Sequence, residues 1–560
     1  MCIIELKHEI CMAVYQIISL LSFLSSVLFL AFIQLTCKPF YTYRYIVVPK
    51  HYQIMRRLTL FYLVALISYN SIAQEIKVAP TTLITNVRLI DGTGTPSRNA
   101  SVRISGNKIL EVGDIKAING EEIINGKGMV LAPGFIDSHS HIGGSLAKYP
   151  EALADLNQGV TTIVSGQDGY GSYVDSIKAG ISRKPIAINI ATYTGHTDLR
   201  EKVLGSSQMN RPATENEIAA MQAILLSELK KGSLGLSTGL EYEGAYFSSR
   251  HEVLELAKTA ASEKSRYISH IRSEDIALAD ALDEIINIGR EAKLPVQISH
   301  IKLALKDDWG KSSQILAQLQ TARLNGVDIT ADCYPYEFWH STLRVLFPKT
   351  DYTNPVSAQY AVDHTFDPTQ SILIRFAPNT IYAGKTISEI AAMRKEKPAQ
   401  TLIGLIAEAD AYEKAHPDAN GVEAIVAKSM TDSDVINFLA WANTNICSDG
   451  SNGGHPRGYG SFTRVLGNYV RDKKIMRLES AIQKMTSLSA EHVGIKNRGV
   501  IAAGYYADLV LFNPTTIKDN ATFKDSKALS DGIEKVWVNG ICVYHDKKST
   551  NKFPGTFIGR

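Results

Sequence analysis

From Thr214 to Tyr336 the chain repeats one rhythm, and that rhythm restricts the fold more than any other feature of the 560 residues. Thr214, with Glu217 three residues on, is a capping-box pattern; it opens a helical stretch to Lys231, and Gly232 stands where a helix stop belongs. SLGLSTG then reads as a strand, HEVLELAKTAASEK as a helix, RYISHI as a strand and EDIALADALDEIINIGREAK as a helix. PVQISHIK, SSQILAQLQTARLNG and VDITADCYPY continue as strand, helix and strand. Short apolar strands separated by helices pair in parallel, because each helix returns the chain to the same end of the sheet. The expectation is an α/β fold in which residues 131–495 form a (β/α)8 TIM barrel.

The two ends of the chain read differently. TTLITNVRLIDGTG, ASVRISGNKILEVGD and EEIINGKGMVLAPG near the start, with RGVIAAGYYADLVLF and GIEKVWVNGICVY near the end, are short strands joined by turn residues. Residues 77–130 and 496–550 are therefore expected to build one small β-sandwich domain from both termini. Residues 351–440, rich in charge and containing the apparent helix KTISEIAAMRKEK, break the rhythm and read as an insertion that could cover the barrel mouth as a lid.

Two export signals compete at the N-terminus. Residues 10–37 are uncharged and long enough to cross a bilayer, for which about 20 apolar residues suffice. From Met55, MRRLTLFYLVALISYNSIAQEI supplies two arginines, an apolar core and the small-x-small site Ser71-Ile72-Ala73, a complete secretory signal over 55–73. Such signals act at an N-terminus. The expectation is thus a start at Met55, residues 1–54 being an upstream extension, and a mature chain from about Gln74 that is exported, periplasmic or secreted. The alternative makes residues 1–54 a membrane segment that anchors the chain. Cys2, Cys11 and Cys37 precede Met55, and the remaining Cys333, Cys447 and Cys542 make no disulfide framework. A net charge of +3 without basic blocks argues against nucleic acid and for a small-molecule partner; the oligomeric state is left open.

Polar residues gather at the expected strand ends. In GFIDSHSHIG, His139 and His141 lie two apart, so a strand would turn both to one face. YISHIR and QISHIK place His270 and His300 thirty residues apart, about one βα unit, which puts them at equivalent C-terminal strand ends, where barrel active sites sit. Asp168 in IVSGQDG, His196 in YTGHTDLR and Asp449 in NICSDG join them. Each signal alone is weak, since Ser-Asp-Gly is commonly a turn and a lone histidine a core residue. Imidazoles and carboxylates converging on one mouth suit zinc with room for a bound water.

PGFIDSHSH, the strand-end histidines and RGVIAAGYYADLVLF resemble the amidohydrolase superfamily, metal-dependent barrels with a small β-sandwich. TGHTDLR, GLSTGLEY, SHIRSE, ADCYPY and SDGSNGGHPRGYGSFTRVLGNYV are similar to the N-acyl-D-amino-acid deacylases, or D-aminoacylases, over about residues 80–545. The resemblance implies Zn2+ as cofactor, one ion tightly bound by His270 and His300, with His139 and His141 at an adjacent, weaker position. It implies Asp449 as the catalytic aspartate, and Lys302, Tyr334 and Arg457 as the residues that hold the substrate carboxylate. Tyr242 is expected to line the pocket, and His196 either to donate a hydrogen bond to substrate or to be structural.

Two departures stand out. The family commonly ligates zinc through a cysteine in an Asn-Cys-Gly turn, and this chain has Gln167-Asp168-Gly169; Asp168 as ligand is therefore an inference, its alternative a structural turn aspartate, and a carboxylate is a harder ligand than a thiolate and could alter metal preference. Bulky Phe338, Trp339 and His340 stand where the family has small and hydroxylic residues. The implied activity is hydrolysis of N-acyl-D-amino acids to a D-amino acid and a carboxylic acid. Its rivals are a cyclic amide hydrolase of the dihydroorotase or hydantoinase kind, a dipeptidase, or a secreted binding protein without catalysis. The first of these relatives often bridge two metals with a modified lysine, and SLGLSTG and RYISHI offer none.

Overall fold

Parallel strands carry the middle of the chain in a computed structural model that describes residues 81–347, 350–419 and 421–560. The signal expected at 55–73 and the segment 1–54 lie outside the described residues. Phe135–Asp137, Val160–Ser165 and Asn189–Thr192 form a three-stranded parallel sheet. Thr194–Gly195, Gly235–Gly239, Arg266–His270, Val296–Ile298, Ile329–Cys333 and Thr444–Ile446 form a six-stranded one, in that spatial order. The chain passes directly from the first sheet to the second between Thr192 and Thr194. Across the other side, Ser140 bridges Gly450 in parallel and the Asp449 N–H donates to the His139 carbonyl at 2.9 Å. Strands such as Val160–Ser165 and Ile329–Cys333 are buried at every position, which is why they read as unbroken apolar runs and not as alternating ones.

The helices between strands form where the periodicity put them. Glu215–Lys231 begins at a formed capping box between Thr214 and Glu217 and ends at Gly232, whose φ of 118° a side chain would resist. Arg250–Ser262 buries Val253, Leu256, Ala257 and Ala260, spaced three and four apart on one face. The helix expected from Glu274 begins instead at Leu278. Its predicted first turn is drawn into other bonds: Ser273 Oγ accepts from the N–H groups of Asp275 and Ala277, while the Glu274 carboxylate receives Lys302.

Strands from both ends of the described residues meet in one nine-stranded sheet. Val130–Pro133 pairs in parallel with Thr81–Leu89 and antiparallel with Leu509–Phe512, joining the N-terminal strands to the C-terminal ones. Leu83, Leu89, Val102, Leu131, Leu509 and Trp537 are buried in it.

The insertion is a unit with its own core. Phe338–Ser341, Glu423–Lys428, Ile372–Phe376 and Lys385–Thr386 make a four-stranded antiparallel sheet, packed with Ile387–Arg394 and Pro398–Ala415 around Leu402, Leu405 and Ile425. Its strands thus start before the expected residue 351 and end before 440. Asp432–Ala440 belongs with the helices of the parallel sheet: Asp434 accepts the N–H groups of Gly310 and Ser312 ahead of helix Ser312–Leu324.

Candidate active site

The C-terminal ends of the parallel strands deliver their polar residues to one place. His139 follows Phe135–Asp137 by two residues, Asp168 follows Val160–Ser165 by three, His270 ends its strand, His300 follows Val296–Ile298 by two, and Asp449 follows Thr444–Ile446 by three. Asp168, His300 and Asp449 all take positive φ, 55°, 34° and 48°, a backbone that costs a side-chain-bearing residue about 1 to 3 kcal/mol. The fold spends that strain to swing these groups inward at the strand ends. Gly169, at φ +82°, completes the Asp168 turn against Thr197 and Gly239.

Two donor sets that share Asp168 result, beside a third of Glu241, His270 and Glu274. His139, His141, Asp168 and Asp449 offer ligand atoms within 4.8 Å of one another, as do Asp168, His270 and His300. Asp168 is common to both; its Oδ2 lies 3.5 Å from His139 Nε2 and 3.4 Å from His141 Nε2, and its Oδ1 3.4 Å from His300 Nε2. His270 Nδ1 is 3.2 Å from His300 Nε2. His139, His270 and His300 are buried, and His141 keeps 35% of its side chain exposed. His139 Nδ1 and Nε2 and Asp168 Oδ1 are buried without a hydrogen-bond partner. Buried polar atoms without partners are rare, and nitrogen and oxygen donors converging this closely fit a divalent cation.

Charge supports that fit. Burial pushes the Asp168 carboxyl up, but the His139 and His300 imidazoles beside it hold it well below the usual range. Burial likewise opposes ionisation of Asp449, and Arg457 and His300 overcome it. His300 is carried to about 9: burial and Lys302 lower it, and Asp168 and Glu274 raise it further. Burial takes His270 the other way, to about 4. Imidazoles raised beside carboxylates lowered are a donor set that a bound cation would strip of its protons.

Behind these groups stand carboxylates that the sequence reading missed. Asp332 lies 3.7 Å from His139 Nδ1 and accepts the His300 N–H at 2.6 Å and Gln297 Nε2 at 2.6 Å. Glu241 meets His270 Nε2 at 2.8 Å. Glu274 binds Lys302 through both oxygens, at 2.7 and 2.8 Å, and lies 3.1 Å from His300 Nδ1. Carboxylates behind histidines fix ring orientation. An acid inside a strand that must be buried, as Asp332 is in ADCYPY, was the available signal.

The expected substrate residues divide. Arg457 is buried with Nη1 2.7 Å from Asp449 Oδ2, yet its Nε and Nη1 find no aligned acceptor. Tyr334 packs its ring 4.8 Å from the Arg457 guanidinium, and its buried hydroxyl is also unpartnered. Lys302, Arg457 and Tyr242 line a cavity of about 490 Å³ above the histidines, with Tyr242 4.3 Å from the His270 ring. His196 does not reach it. It is fully buried, its Nε2 meets Glu252 at 2.9 Å, and Arg200 meets the same carboxylate at 2.5 Å, while its Nδ1 is buried without a partner. Trp339 and His340 form part of the cavity wall, brought there by the insertion sheet.

The chain matches the Amidohydrolase family over residues 122–364 and 376–544. The D-aminoacylase of Alcaligenes xylosoxydans xylosoxydans is 31% identical over 509 residues, 85% of this chain and 97% of that one. A solved D-aminoacylase with a binuclear metal centre is 32% identical, with TM-score 0.75 over 86% of this chain and 99% of that one. The N-acyl-D-glutamate deacylase from Bordetella bronchiseptica, solved with zinc and a phosphonate that mimics the tetrahedral intermediate, is 29% identical, with TM-score 0.76 over 86% of this chain and 100% of that one.

Proposed function

The chain belongs to the N-acyl-D-amino-acid deacylase (D-aminoacylase) family of the amidohydrolases, and from that premise we propose that it hydrolyses N-acyl-D-amino acids with apolar side chains, using zinc. The observation that carries the reading is the pairing of two orphan sets. His139 and Asp168 atoms lack partners where a metal would sit, and Arg457, which lines the cavity and pairs with Asp449 through Nη1, keeps its Nε unpartnered, with the unpartnered Tyr334 hydroxyl packed behind it. A substrate bearing both a carbonyl and a carboxylate answers both.

Asp168, His270 and His300 would hold the tighter ion, and His139 and His141, sharing Asp168, the adjacent one. A bound zinc supplies a polarised acyl carbonyl and a water acidified toward neutral pH. Asp449, kept ionised by Arg457, takes one proton from the attacking water and returns it to the leaving nitrogen as the C–N bond breaks. The products are a carboxylate and a free D-amino acid. Lys302, tied to Glu274, and Arg457 present positive charge to the α-carboxylate, so the hand of the substrate decides whether its acyl group reaches Asp449.

The side-chain preference follows from the wall. Trp339, Tyr242, Phe347 and Tyr352 line it. His340 is held neutral by burial, lowered to about 3. Arg272 and Arg344 on the same wall are already paired, with Glu284 and with Asp410 and Glu413.

Within the same reading, the two parallel sheets are one eight-strand barrel, supported by the Thr192–Thr194 continuity and the Ser140–Gly450 bridge, and the nine-stranded sheet is its β-sandwich companion. The Met55 signal supports export. The test is amine release from matched N-acetyl-D and N-acetyl-L pairs of methionine, leucine, glutamate and aspartate by the zinc-loaded protein. Release from D-leucine and D-methionine derivatives alone, abolished in Asp449→Ala, is the expected result; faster release from the D-glutamate derivative would overturn the side-chain assignment, and no release from any D form the activity.

A further inference from the structure

Beside the metal-position residues lies a second cavity that amino-acid recognition leaves unused. It measures about 480 Å³ and is walled by Gly143, Gly144 and Leu146, just after His141, and by Ile177, Gly180 and Ile181 of helix Val174–Arg183. Residues 177, 180 and 181 share one helix face. Ile177 and Ile181 are only half-buried although they pack against the main core, so apolar surface is left for an occupant. Lys184 is the one charged residue of this lining besides His141, and its Nζ is already bonded to the Ala147 carbonyl at 2.6 Å. Among the described residues no carboxylate lines the space.

His141 and Tyr170 line both cavities. His141 is also the most exposed of the four metal-position histidines, at 35% of its side chain. The scissile carbonyl must lie at this histidine's cluster, beside Asp449. Its two substituents then leave in different directions. With the amino-acid half held at Lys302 and Arg457, which line only the first cavity, an acyl half passing His141 and Tyr170 would enter the second.

We infer that the second cavity is an acyl subsite, and that the natural substrates carry an unbranched aliphatic acyl chain longer than acetyl; the inference rests on the deacylase reading. Two glycines make the subsite what it is. A Cβ at Gly144 or at Gly180 would meet no heavy atom within 4 Å, so a larger side chain there grows into open space instead of into its neighbours. Each methylene removed from water should improve kcat/KM by about fourfold while the cavity lasts.

The experiment titrates octanoate and acetate into the zinc-loaded protein by calorimetry, and measures kcat/KM for N-acetyl-, N-butanoyl- and N-octanoyl-D-leucine. Octanoate should bind at least tenfold more tightly than acetate, and kcat/KM should rise along the series. Gly144→Phe should collapse the octanoyl-to-acetyl ratio and the octanoate affinity; Gly180→Leu, which replaces a mid-helix glycine with a better helix former, should do the same if Gly144→Phe does not fold. Octanoate that binds no better than acetate, or binds equally well to the folded variants, overturns the subsite even if N-acetyl-D-leucine is hydrolysed. Gly144-dependent octanoate binding with no turnover of any member of the series would keep the apolar site and overturn the deacylase reading instead.

Discussion

At the residue scale, the least visible charges do the most structural work. Glu252 is fully buried between His196 and Arg200 and also accepts the N–H of Ala213. Burial raises its carboxyl, but His196 and Arg200 outweigh burial and bring it down to about 2. Because the folded value lies below the ordinary one, this group stabilises the protein above about pH 4.5, and the stabilisation is lost as pH falls toward 2. Glu252→Gln leaves the Arg200 guanidinium buried without its counter-charge and should cost about 3 kcal/mol at pH 7. Urea unfolding at pH 7 and at pH 3.5 checks this: the gap between native and variant should shrink at the lower pH, and a constant gap would mean that only packing was lost. None of this partnership was legible in YTGHTDLR, since His196 and Glu252 stand 56 residues apart and no local pattern joins them.

At the element scale, the insertion decides the shape of the substrate cavity. Strand Phe338–Ser341 continues the chain out of the parallel sheet and pairs with Glu423–Lys428, placing Trp339 opposite Ala427 and His340 opposite Val426. Trp339 is nearly buried yet reaches the cavity wall. Its removal should enlarge the side-chain pocket without touching the metal donors. Trp339→Ala is expected to raise KM for N-acetyl-D-leucine about tenfold or more, on the scale of an aromatic contact in a well-packed pocket, while the zinc content stays that of the native protein. Steady-state kinetics with metal analysis separates this from loss of the site. The insertion was visible in the sequence as broken rhythm, but not its limits, because strand 338–341 finds its partner some ninety residues later.

At the scale of the whole molecule, the donor cluster ties distant strands together. His139 and Asp449 follow the first and last strands of the parallel sheets, far apart in sequence, and the fold brings them side by side, with Asp449 N–H on the His139 carbonyl. A cation held by both donor sets binds the folded chain only, so chelation should lower the thermal midpoint and zinc restore it, by about 2.7 kcal/mol of stability at a zinc concentration a hundredfold above Kd. Zinc should also release protons on binding, since His139, His141 and His300 are all raised in its absence. A midpoint that ignores chelator and zinc would argue against both. The sequence by itself determined the strand–helix alternation, the helix limits at Thr214 and Gly232, and the set of histidines and aspartates at strand ends. These rest on local physics: periodicity, capping and the reach of one βα unit. Only the tertiary structure decided that Asp168 is shared by two donor sets, that Asp332, Glu241 and Glu274 stand behind the histidines, and that His196 turns to Glu252 and away from the cavity. Those outcomes depend on which side chains meet across strands and on burial that selects a charge's partner, and no window of sequence contains both members of such a pair.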